Sequence, residues 1–332
     1  MRTIALALLL IVVALAASGY AALRYFTAVP GKSHAGALPP LTGEERAIAA
    51  RLERHIAIIA AREHNIAHYD ELEKVALHLE ATLRSLGYEP GRQEFNADDK
   101  TVRNIDAVIE ASGTTDPDVV VVGAHYDSAE GTLGANDNAS GTAVLLELAQ
   151  LLKDLQGQTR KRIRLVFFVN EEPPYFQTED MGSLRYAKAL AAREERVTAM
   201  YSLETLGFYS SEPGSQQYPP PLGLLYPDRG DFVSFVGLTN SRPLVRQTVE
   251  SFRAHTPFPS VGGVAPGVIP GIDWSDHWAF AVHGFQAVMV TDTAIFRYPH
   301  YHKPTDTPDK VDVERLARIT KGMERVVRDL VR

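Results

Sequence analysis

Two strand-like apolar runs separated by a helical pattern place the strongest constraint on how this chain can fold. The runs cover residues 119–124 and 163–169, and residues 142–152 between them follow a helical pattern. Short β-branched runs on either side of a helix are typical of a βαβ unit in a buried parallel sheet. We therefore predict an α/β fold, a single α/β/α domain with a central mixed, mostly parallel sheet flanked by helices.

The composition limits the functions that the chain can have. Its 332 residues are 45% hydrophobic and carry a net charge of −7 without a long basic block. Phosphate binding needs clustered lysines and arginines, so nucleic acid is not expected as the main partner. The chain has no cysteine. This composition excludes disulfides, a thiolate nucleophile and cysteine-ligated zinc, so any metal must be held by histidines and carboxylates.

Residues 1–26 are predicted to form a membrane anchor or a signal peptide. The stretch between Arg2 and Arg24 is uncharged and mostly apolar, and it is long enough to cross a bilayer as a helix. An uncleaved anchor would leave the rest of the chain exported, on the periplasmic or extracellular side of the membrane. Cleavage near the small residues at 14–17 would instead release it as a secreted protein.

The remainder of the chain divides into a linker and one domain. Residues 27–41 are rich in proline and glycine and are predicted to be a linker, followed by a domain over residues 42–332. Thr42 is expected to cap the first helix of this domain. Residues 212–227 are predicted to form a long surface loop with a lid-like role, and residues 257–271 a Gly/Pro-rich loop.

Seven acids and histidines follow predicted strands or lie in the loops beside them. Ligand sites of open α/β sheets lie at the carboxyl ends of the strands. Two divalent ions about 3.5–4 Å apart need a bridging carboxylate and terminal His, Asp or Glu ligands. A set of nitrogen and oxygen ligands without thiolates suits zinc. A further carboxylate can act as general base, and another can hold a histidine ring. The seven residues are His125, Asp127, Asp137, Glu171, Glu172, Glu204 and His302.

Five short signatures in this order resemble the zinc aminopeptidases of the M28 peptidase family, a family that also includes carboxypeptidases and glutaminyl cyclases. The resemblance covers roughly residues 45–325. Each signature alone is common, but all five occur in order at strand ends or in adjoining loops. They are His125-Tyr126-Asp127, Asn136-Asp137-Asn138-Ala139-Ser140-Gly141, Asn170-Glu171-Glu172, Ser202-Leu203-Glu204, and His302 with Asp306-Thr307.

The resemblance implies five metal ligands and two zinc ions per chain. Asp137 would bridge the two ions. One zinc site would be completed by His125 and Glu204, and the other by Glu172 and His302. His300 is a rival for the last position, and His302 is preferred because of its spacing to Asp306-Thr307.

The resemblance also implies the catalytic roles. Glu171 would be the general base acting on a zinc-bridging water, and Asp127 would hold the ring of His125. The family has a cis peptide after its bridging acid, which here would be Asp137–Asn138. Asp276-His277 resembles a family motif near the pocket, and a structural or substrate-contacting role is expected for it.

The resemblance favours an exopeptidase that hydrolyses the N-terminal residue from peptides, because one zinc can hold a free α-amine. Its partner would be a peptide with a free N-terminus, and the sequence indicates no oligomeric state. Four aromatic residues near the predicted rim suggest an apolar pocket for the first residue: Tyr175, Phe176, Phe208 and Tyr209.

Three other functions remain open at this stage. A carboxypeptidase or dipeptidase would need a cation for the substrate carboxylate, for which Arg185, Arg229 and Arg297 are candidates. A glutaminyl cyclase would act with one zinc. A non-catalytic, peptidase-like binding subunit would be expected to have lost ligands or the base, and this chain keeps them all.

Overall fold

An eight-stranded mixed sheet forms the centre of the molecule in the computed structural model, which describes residues 2–113 and 116–332. The strands lie in the order β1-β2-β4-β3-β5-β8-β6-β7. Four of the pairings are parallel and three are antiparallel. The α/β prediction with a mostly parallel sheet is therefore confirmed. The strands are β1 (Gly91–Ala97), β2 (Lys100–Ile109), β3 (Val119–His125), β4 (Arg162–Phe168), β5 (Val197–Glu204), β6 (Val233–Leu238), β7 (Ser260–Ala265) and β8 (Ala287–Thr291).

Helices cover both faces of the sheet and give the three layers. The sheet has a hydrophobic core on each face, and successive valines of β3 point to opposite faces. Val120 and Val122 lie in the core beneath the larger set of helices, and Val119 and Val121 lie in the core beneath the smaller set. One face carries α2, α3, α4, α6 and α8, and the other carries α5 and α7. The helices are α1 (Arg2–Thr27), α2 (Gly43–Ile59), α3 (Tyr69–Ser85), α4 (Gly141–Leu151), α5 (Gly182–Ala192), α6 (Arg242–His255), α7 (His277–Ala281) and α8 (Val313–Val331).

The central βαβ unit forms as expected from its sequence. β3 and β4 are parallel neighbours joined through α4, and their valine- and phenylalanine-rich runs are buried on both faces. The cap of α2 was also predicted: the Thr42 side chain accepts from the backbone of Glu45, whose carboxylate accepts from the backbone of Thr42.

Strand β7 lies inside the segment that the sequence predicted to be a loop. Its residues Gly262 and Gly263 pair with Phe235 and Val236 of β6. Glycine is depleted in strands, so the pair concealed the strand pattern. The prediction of a loop over residues 257–271 is therefore wrong for its middle part.

The N-terminal helix α1 is exposed along most of its length and contacts the sheet only at its end. Residues Ile4–Thr27 have a mean hydropathy of 2.5, and the most apolar part of this stretch is not buried in the structure. This is long and apolar enough to cross a membrane. Phe26 and Val29 pack against the core, and α1 contacts the edge strand β7. Residues 28–41 contain no helix or strand.

The strand topology brings the predicted site residues to one edge of the sheet. β3, β4, β5 and β8 run parallel, so their carboxyl ends meet there. His125 ends β3, Glu204 ends β5, and Glu171 and Glu172 follow β4.

Candidate metal centre

His125 presents one ring nitrogen to a group of carboxylates. Its Nδ1 lies 3.1 Å from the carbonyl oxygen of Asp127 and therefore carries the proton. Nε2 is therefore the ring nitrogen that could hold a metal, and it lies 3.4 Å from Asp137 Oδ1 and 3.4 Å from Glu204 Oε2. Nε2 is buried and has no hydrogen-bond partner.

Asp137 turns its two oxygens toward two different histidines. Oδ1 faces His125, and Oδ2 lies 3.1 Å from Nε2 of His302. The peptide bond between Asp137 and Asn138 is cis, as the family resemblance implies. The Asn138 side chain ties this loop to the end of β5, because its Nδ2 donates to the carbonyl of Leu203 and its Oδ1 accepts from the backbone of Thr205.

His302 and Glu172 stand on the opposite side of Asp137 from His125. His302 Nε2 is 3.2 Å from Glu172 Oε2. The rival, His300, is turned away and bonds through Nδ1 to the hydroxyl of Thr305 at 2.9 Å. The structure therefore brings His302, and not His300, to the acidic cluster.

The carboxylate of Asp127 organises the loop after β4. Its Oδ1 and Oδ2 accept from the backbone N–H groups of Glu171 and Glu172, at 3.2 and 3.1 Å. Oδ1 is 3.6 Å from Nδ1 of His125, farther than the carbonyl oxygen of the same residue. Asp127 thus positions His125 mainly through its main chain, and the two glutamates through its side chain.

The cluster concentrates negative charge in a buried place. Burial, and then repulsion from Asp137, raises the pKa of Glu172 to about 8. Burial raises the pKa of Glu171 well above its usual range, and Glu204 and Glu172 add to the effect. Buried carboxylates at this density are stable when cations neutralise them. Three buried atoms of the cluster have no hydrogen-bond partner: His125 Nε2, Asp137 Oδ2 and Glu172 Oε1.

The donor set and its spacing fit zinc. One ligand atom from each of His125, Asp137 and Glu172 lies within 4.8 Å of the others. Ligand atoms around a tetrahedral zinc with bonds of about 2.0–2.1 Å lie roughly 3.3 Å apart. The four contacts of the two histidine rings with Asp137, Glu204 and Glu172 are 3.1–3.4 Å long.

Several supporting residues escaped sequence reasoning. Asp306 accepts from the backbone of Asn136 at 2.9 Å and of Asp137 at 3.1 Å. Asp292 accepts from the Asn136 side chain at 2.9 Å. Ser275 donates to Glu204 at 2.8 Å. Except for Asp306, which was noted only for its spacing to His302, no sequence signal pointed to these contacts.

Asp276 and His277 lie near the cluster without joining the ligand set. Both are fully buried, and neither oxygen of Asp276 has a hydrogen-bond partner. Burial raises the pKa of Asp276 to about 7. Nε2 of His277 lies 2.8 Å from the carbonyl oxygen of Ile272. A structural or substrate-contacting role for this pair stays a prediction.

An apolar cavity of about 110 Å³ adjoins the cluster. Glu204 and Tyr301 contribute to its wall on the side of the cluster, where the Tyr301 ring stacks on His302 at 3.9 Å. Residues 212–227 supply part of its wall, including Gln216 and Tyr226. Among the described residues, no lysine or arginine lines it.

The four aromatic residues that the sequence suggested for the pocket do not line this cavity. Tyr209 is buried against Phe258, and the Phe208 ring lies 4.9 Å from that of Tyr298. Tyr175 bonds to Asp98, and Phe176 lies against Trp278. Sequence order placed these residues near the rim, but their side chains turn into other contacts.

The sequence pattern of Peptidase family M28 matches residues 104–327. The protein YfbL of Escherichia coli (strain K12) is 38% identical over 263 residues, which cover 76% of this chain and 79% of that protein. Aminopeptidase YwaD of Bacillus subtilis (strain 168) is 37% identical over 120 residues, covering 36% of this chain and 25% of that protein.

A solved structure shows the same fold. The structure of BSAP, a zinc aminopeptidase from Bacillus subtilis, superposes with a TM-score of 0.69 at 18% identity and covers 89% of this chain and 97% of that one. The family match spans more than half of the chain, and the buried histidine–carboxylate cluster fits the metal that the family implies. The chain therefore belongs to peptidase family M28 and is a zinc-dependent metallopeptidase.

Proposed function

We propose that this protein is a di-zinc exopeptidase that removes the N-terminal residue from peptides. The observation that carries this proposal is the buried acidic cluster opening to an apolar cavity in which no described residue is a lysine or arginine. A dense group of carboxylates attracts the positive α-amine of a peptide and repels a carboxylate. An apolar cavity beside the cluster suits the side chain of the first residue.

Two zinc ions are proposed because Asp137 divides its oxygens between two histidines. His125 with Glu204 forms a ligand group on the Oδ1 side, and His302 with Glu172 forms another on the Oδ2 side. When bound, zinc supplies Lewis-acid polarisation of the scissile carbonyl and makes water a better nucleophile.

Glu171 is proposed as the proton carrier of the reaction. Its Oε2 is 3.8 Å from His125 Nε2, beside the ligand groups, and its backbone is held by Asp127. Glu171 takes a proton from the attacking water as the C–O bond forms, and it gives the proton to the amine nitrogen as the C–N bond breaks. Asp127 keeps the imidazole of His125 and the Glu171 backbone in place.

The carboxypeptidase alternative lacks a suitably placed cation among its three candidates. Arg185 pairs with Asp180 at 2.7 Å, and Arg229 donates to the carbonyl of Ser211. Arg297 is buried and donates to Gln216 and to the carbonyl of Phe232. Their hydrogen bonds favour structural roles and leave the aminopeptidase reaction as the better fit.

The test combines zinc content with hydrolysis of a panel of amino-acid p-nitroanilides, before and after chelation. We expect close to two zinc ions per chain and activity that zinc restores. Glu171→Gln should keep its zinc and lose at least about 100-fold in kcat. Glu179→Gln, at an exposed glutamate paired with Lys188, is the control and should match the wild type.

Three outcomes would overturn parts of this proposal. Two zinc ions without anilide hydrolysis would redirect the search to carboxypeptidase or dipeptide substrates. One zinc ion would favour cyclase chemistry. Full activity of Glu171→Gln would remove Glu171 from the role of general base.

We also propose that α1 anchors the protein in a membrane with the catalytic domain exported. Its length, its mean hydropathy of 2.5 and its exposure support an anchor over residues 1–26. A cleaved signal peptide is the alternative, and N-terminal sequencing of the mature chain distinguishes the two. The linker over residues 27–41 and the domain over residues 42–332 remain part of this proposal.

A further inference from the structure

A row of arginines on α6 binds the chain as it leaves the N-terminal helix. Arg242 donates to the carbonyl of Tyr25 at 2.9 Å, and its guanidinium lies 3.9 Å from the centre of the Tyr25 ring. Arg246 donates to the carbonyl of Ala28 at 2.6 Å. Arg253 donates to the carbonyls of residues 30 and 31 at 2.7 and 3.0 Å. At 3.6 residues per turn these three positions share one face of α6. We call residues 25–33 the strap.

The edge strand β7 is shaped to receive the strap. A Cβ atom at Gly263 would lie 3.2 Å from the carbonyl oxygen of Phe26, 3.4 Å from Cα of Thr27 and 2.6 Å from the Tyr226 hydroxyl. A larger residue at position 263 would therefore crowd the backbone of the strap and the Tyr226 hydroxyl. Ser33 Oγ accepts from the backbone N–H of Ser260 at 2.8 Å and fixes the far end of the strap.

Thr27 of the strap is part of the cavity wall. It is buried, its hydroxyl donates to the carbonyl of Leu23, and it lines the apolar cavity together with Gly263. Glu204 lies on β5 and Gly263 on β7, three strand positions apart and therefore roughly 14 Å from each other. Thr27 thus closes the end of the cavity that is remote from the acidic cluster.

A second cavity of about 400 Å³ lies behind this wall. It shares Thr27, Tyr226 and Val261 with the first cavity and also contacts Ala35 and Arg253. These shared side chains separate the two spaces. A longer side chain in the first cavity would meet Thr27 before it reached the second.

We propose that the strap is a permanent wall of the substrate cavity and that Thr27 sets the length of the first side chain that the cavity accepts. The docking of the strap is independent of the reaction, whereas the selection of side chains rests on the proposed aminopeptidase function. The substrates are then peptides whose first residue is apolar and limited in length by residue 27.

Docking is tested by thiol labelling, because the natural chain has no cysteine. In the full-length protein in detergent, we expect Thr27→Cys to react with a charged maleimide at least tenfold more slowly than Ala35→Cys. Ala35 is exposed and lines only the second cavity, so it is the matched control. Adding Arg246→Ala and Arg253→Ala to Thr27→Cys should raise its rate toward that of the control.

Equal labelling of Thr27→Cys and Ala35→Cys would overturn the docked strap. So would a rate for Thr27→Cys that the two arginine substitutions leave unchanged. Neither labelling measurement depends on catalysis. If the strap proved to be docked in a protein without peptidase activity, the proposed function would be contradicted and the proposed docking would still hold.

Selection is tested by the ratio of kcat/KM for phenylalanine and alanine p-nitroanilides. Thr27→Ala lengthens the cavity and should raise this ratio, and Thr27→Leu shortens the cavity and should lower it, each by at least about fivefold. Thr27→Val keeps the volume, removes the hydroxyl and should leave the ratio unchanged. Partial misfolding cannot explain a ratio of kcat/KM that rises in Thr27→Ala and falls in Thr27→Leu. The same ratio in all four proteins would overturn the role of Thr27.

Discussion

Asp306 supports the candidate metal centre by holding the main chain that carries Asp137. Its carboxylate accepts two backbone N–H groups of the loop, from Asn136 and Asp137, and also the hydroxyl of Tyr298 at 2.6 Å. Burial raises the pKa of Asp306 to about 6. Because the Asp306 carboxylate accepts from the amides of two consecutive residues, it fixes the direction in which the oxygens of Asp137 point.

We expect Asp306→Asn to lower zinc affinity by about 10–100-fold, because an amide leaves one of the two backbone N–H groups without an acceptor. Competition against a fluorescent zinc chelator measures this change. Tyr298→Phe removes only the third hydrogen bond and should bind zinc within about threefold of the wild type. Equal losses in the two variants would mean that the phenol, rather than the loop amides, is the important contact.

The seven predicted site residues could be found because each has a chemically distinctive side chain beside a strand. The structure brings all seven together at one sheet edge. Ser275 and Asp292 could not be found in this way. They contact the site through single hydrogen bonds to residues more than 70 positions away. Such contacts leave no periodicity or spacing in the sequence.

At the scale of elements, Glu80 joins α3 to the first two strands. Its side chain is fully buried and pairs with Arg92 of β1 at 2.6 Å and with Arg103 of β2 at 2.8 Å. Burial alone would raise the pKa of Glu80, but hydrogen bonds from Arg92 and Arg103 lower it to about 2. One carboxylate therefore holds together a helix and two strands.

We expect Glu80→Gln to lower the free energy of unfolding by about 2–3 kcal/mol at pH 7, because it takes one of two charged partners from the buried guanidinium of Arg103. The pKa of Glu80 is lower in the folded than in the unfolded state. Its contribution is therefore present above about pH 4.3 and is lost as the pH falls toward 2. Urea unfolding of the wild type and the variant at pH 7, 5 and 3 measures both effects.

The matched control is Glu71→Gln, whose solvent-accessible pair with Lys74 should change the free energy of unfolding little. If the difference between Glu80→Gln and the wild type were the same at pH 7 and pH 3, the carboxylate charge would not be the source of the stability.

The elements that sequence patterns predicted best are those whose residues agree with their local surroundings. The valine runs of β3 and the capped start of α2 are examples. β7 is the opposite case. Its Gly263 lies against the strap and Tyr226, and its Gly262 lies against Val249 of α6. A strand whose composition serves a distant contact cannot be identified from its own residues.

For the molecule as a whole, the candidate metal centre joins segments that are far apart in the chain. The seven residues range from His125 to His302 and lie at the ends of β3 and β5 or in loops. Without cations, their carboxylates repel one another in a buried place. Binding of zinc to the folded chain should therefore stabilise the entire domain.

We expect chelation of zinc to lower the melting temperature by about 5–10 °C. At a zinc concentration about 1,000 times Kd, binding adds roughly 4 kcal/mol to the free energy of unfolding, and chelation removes this contribution. Differential scanning calorimetry of the chelated and the zinc-restored protein measures this shift. A Glu204→Gln variant has one ligand fewer and should show a smaller shift. An unchanged melting temperature in the wild type would mean that the folded chain does not need the metal for its stability.

The docked strap also has a consequence for how copies of this protein meet one another. β7 is the last strand of the sheet, and an uncovered edge offers N–H and C=O groups to any other extended chain. Here Ser33 accepts the N–H of Ser260, Arg253 donates to the carbonyl of Ser260, and Tyr226 donates to the carbonyl of Gly262. The strap and the side chains that hold it therefore also protect this edge from pairing with another copy of the chain.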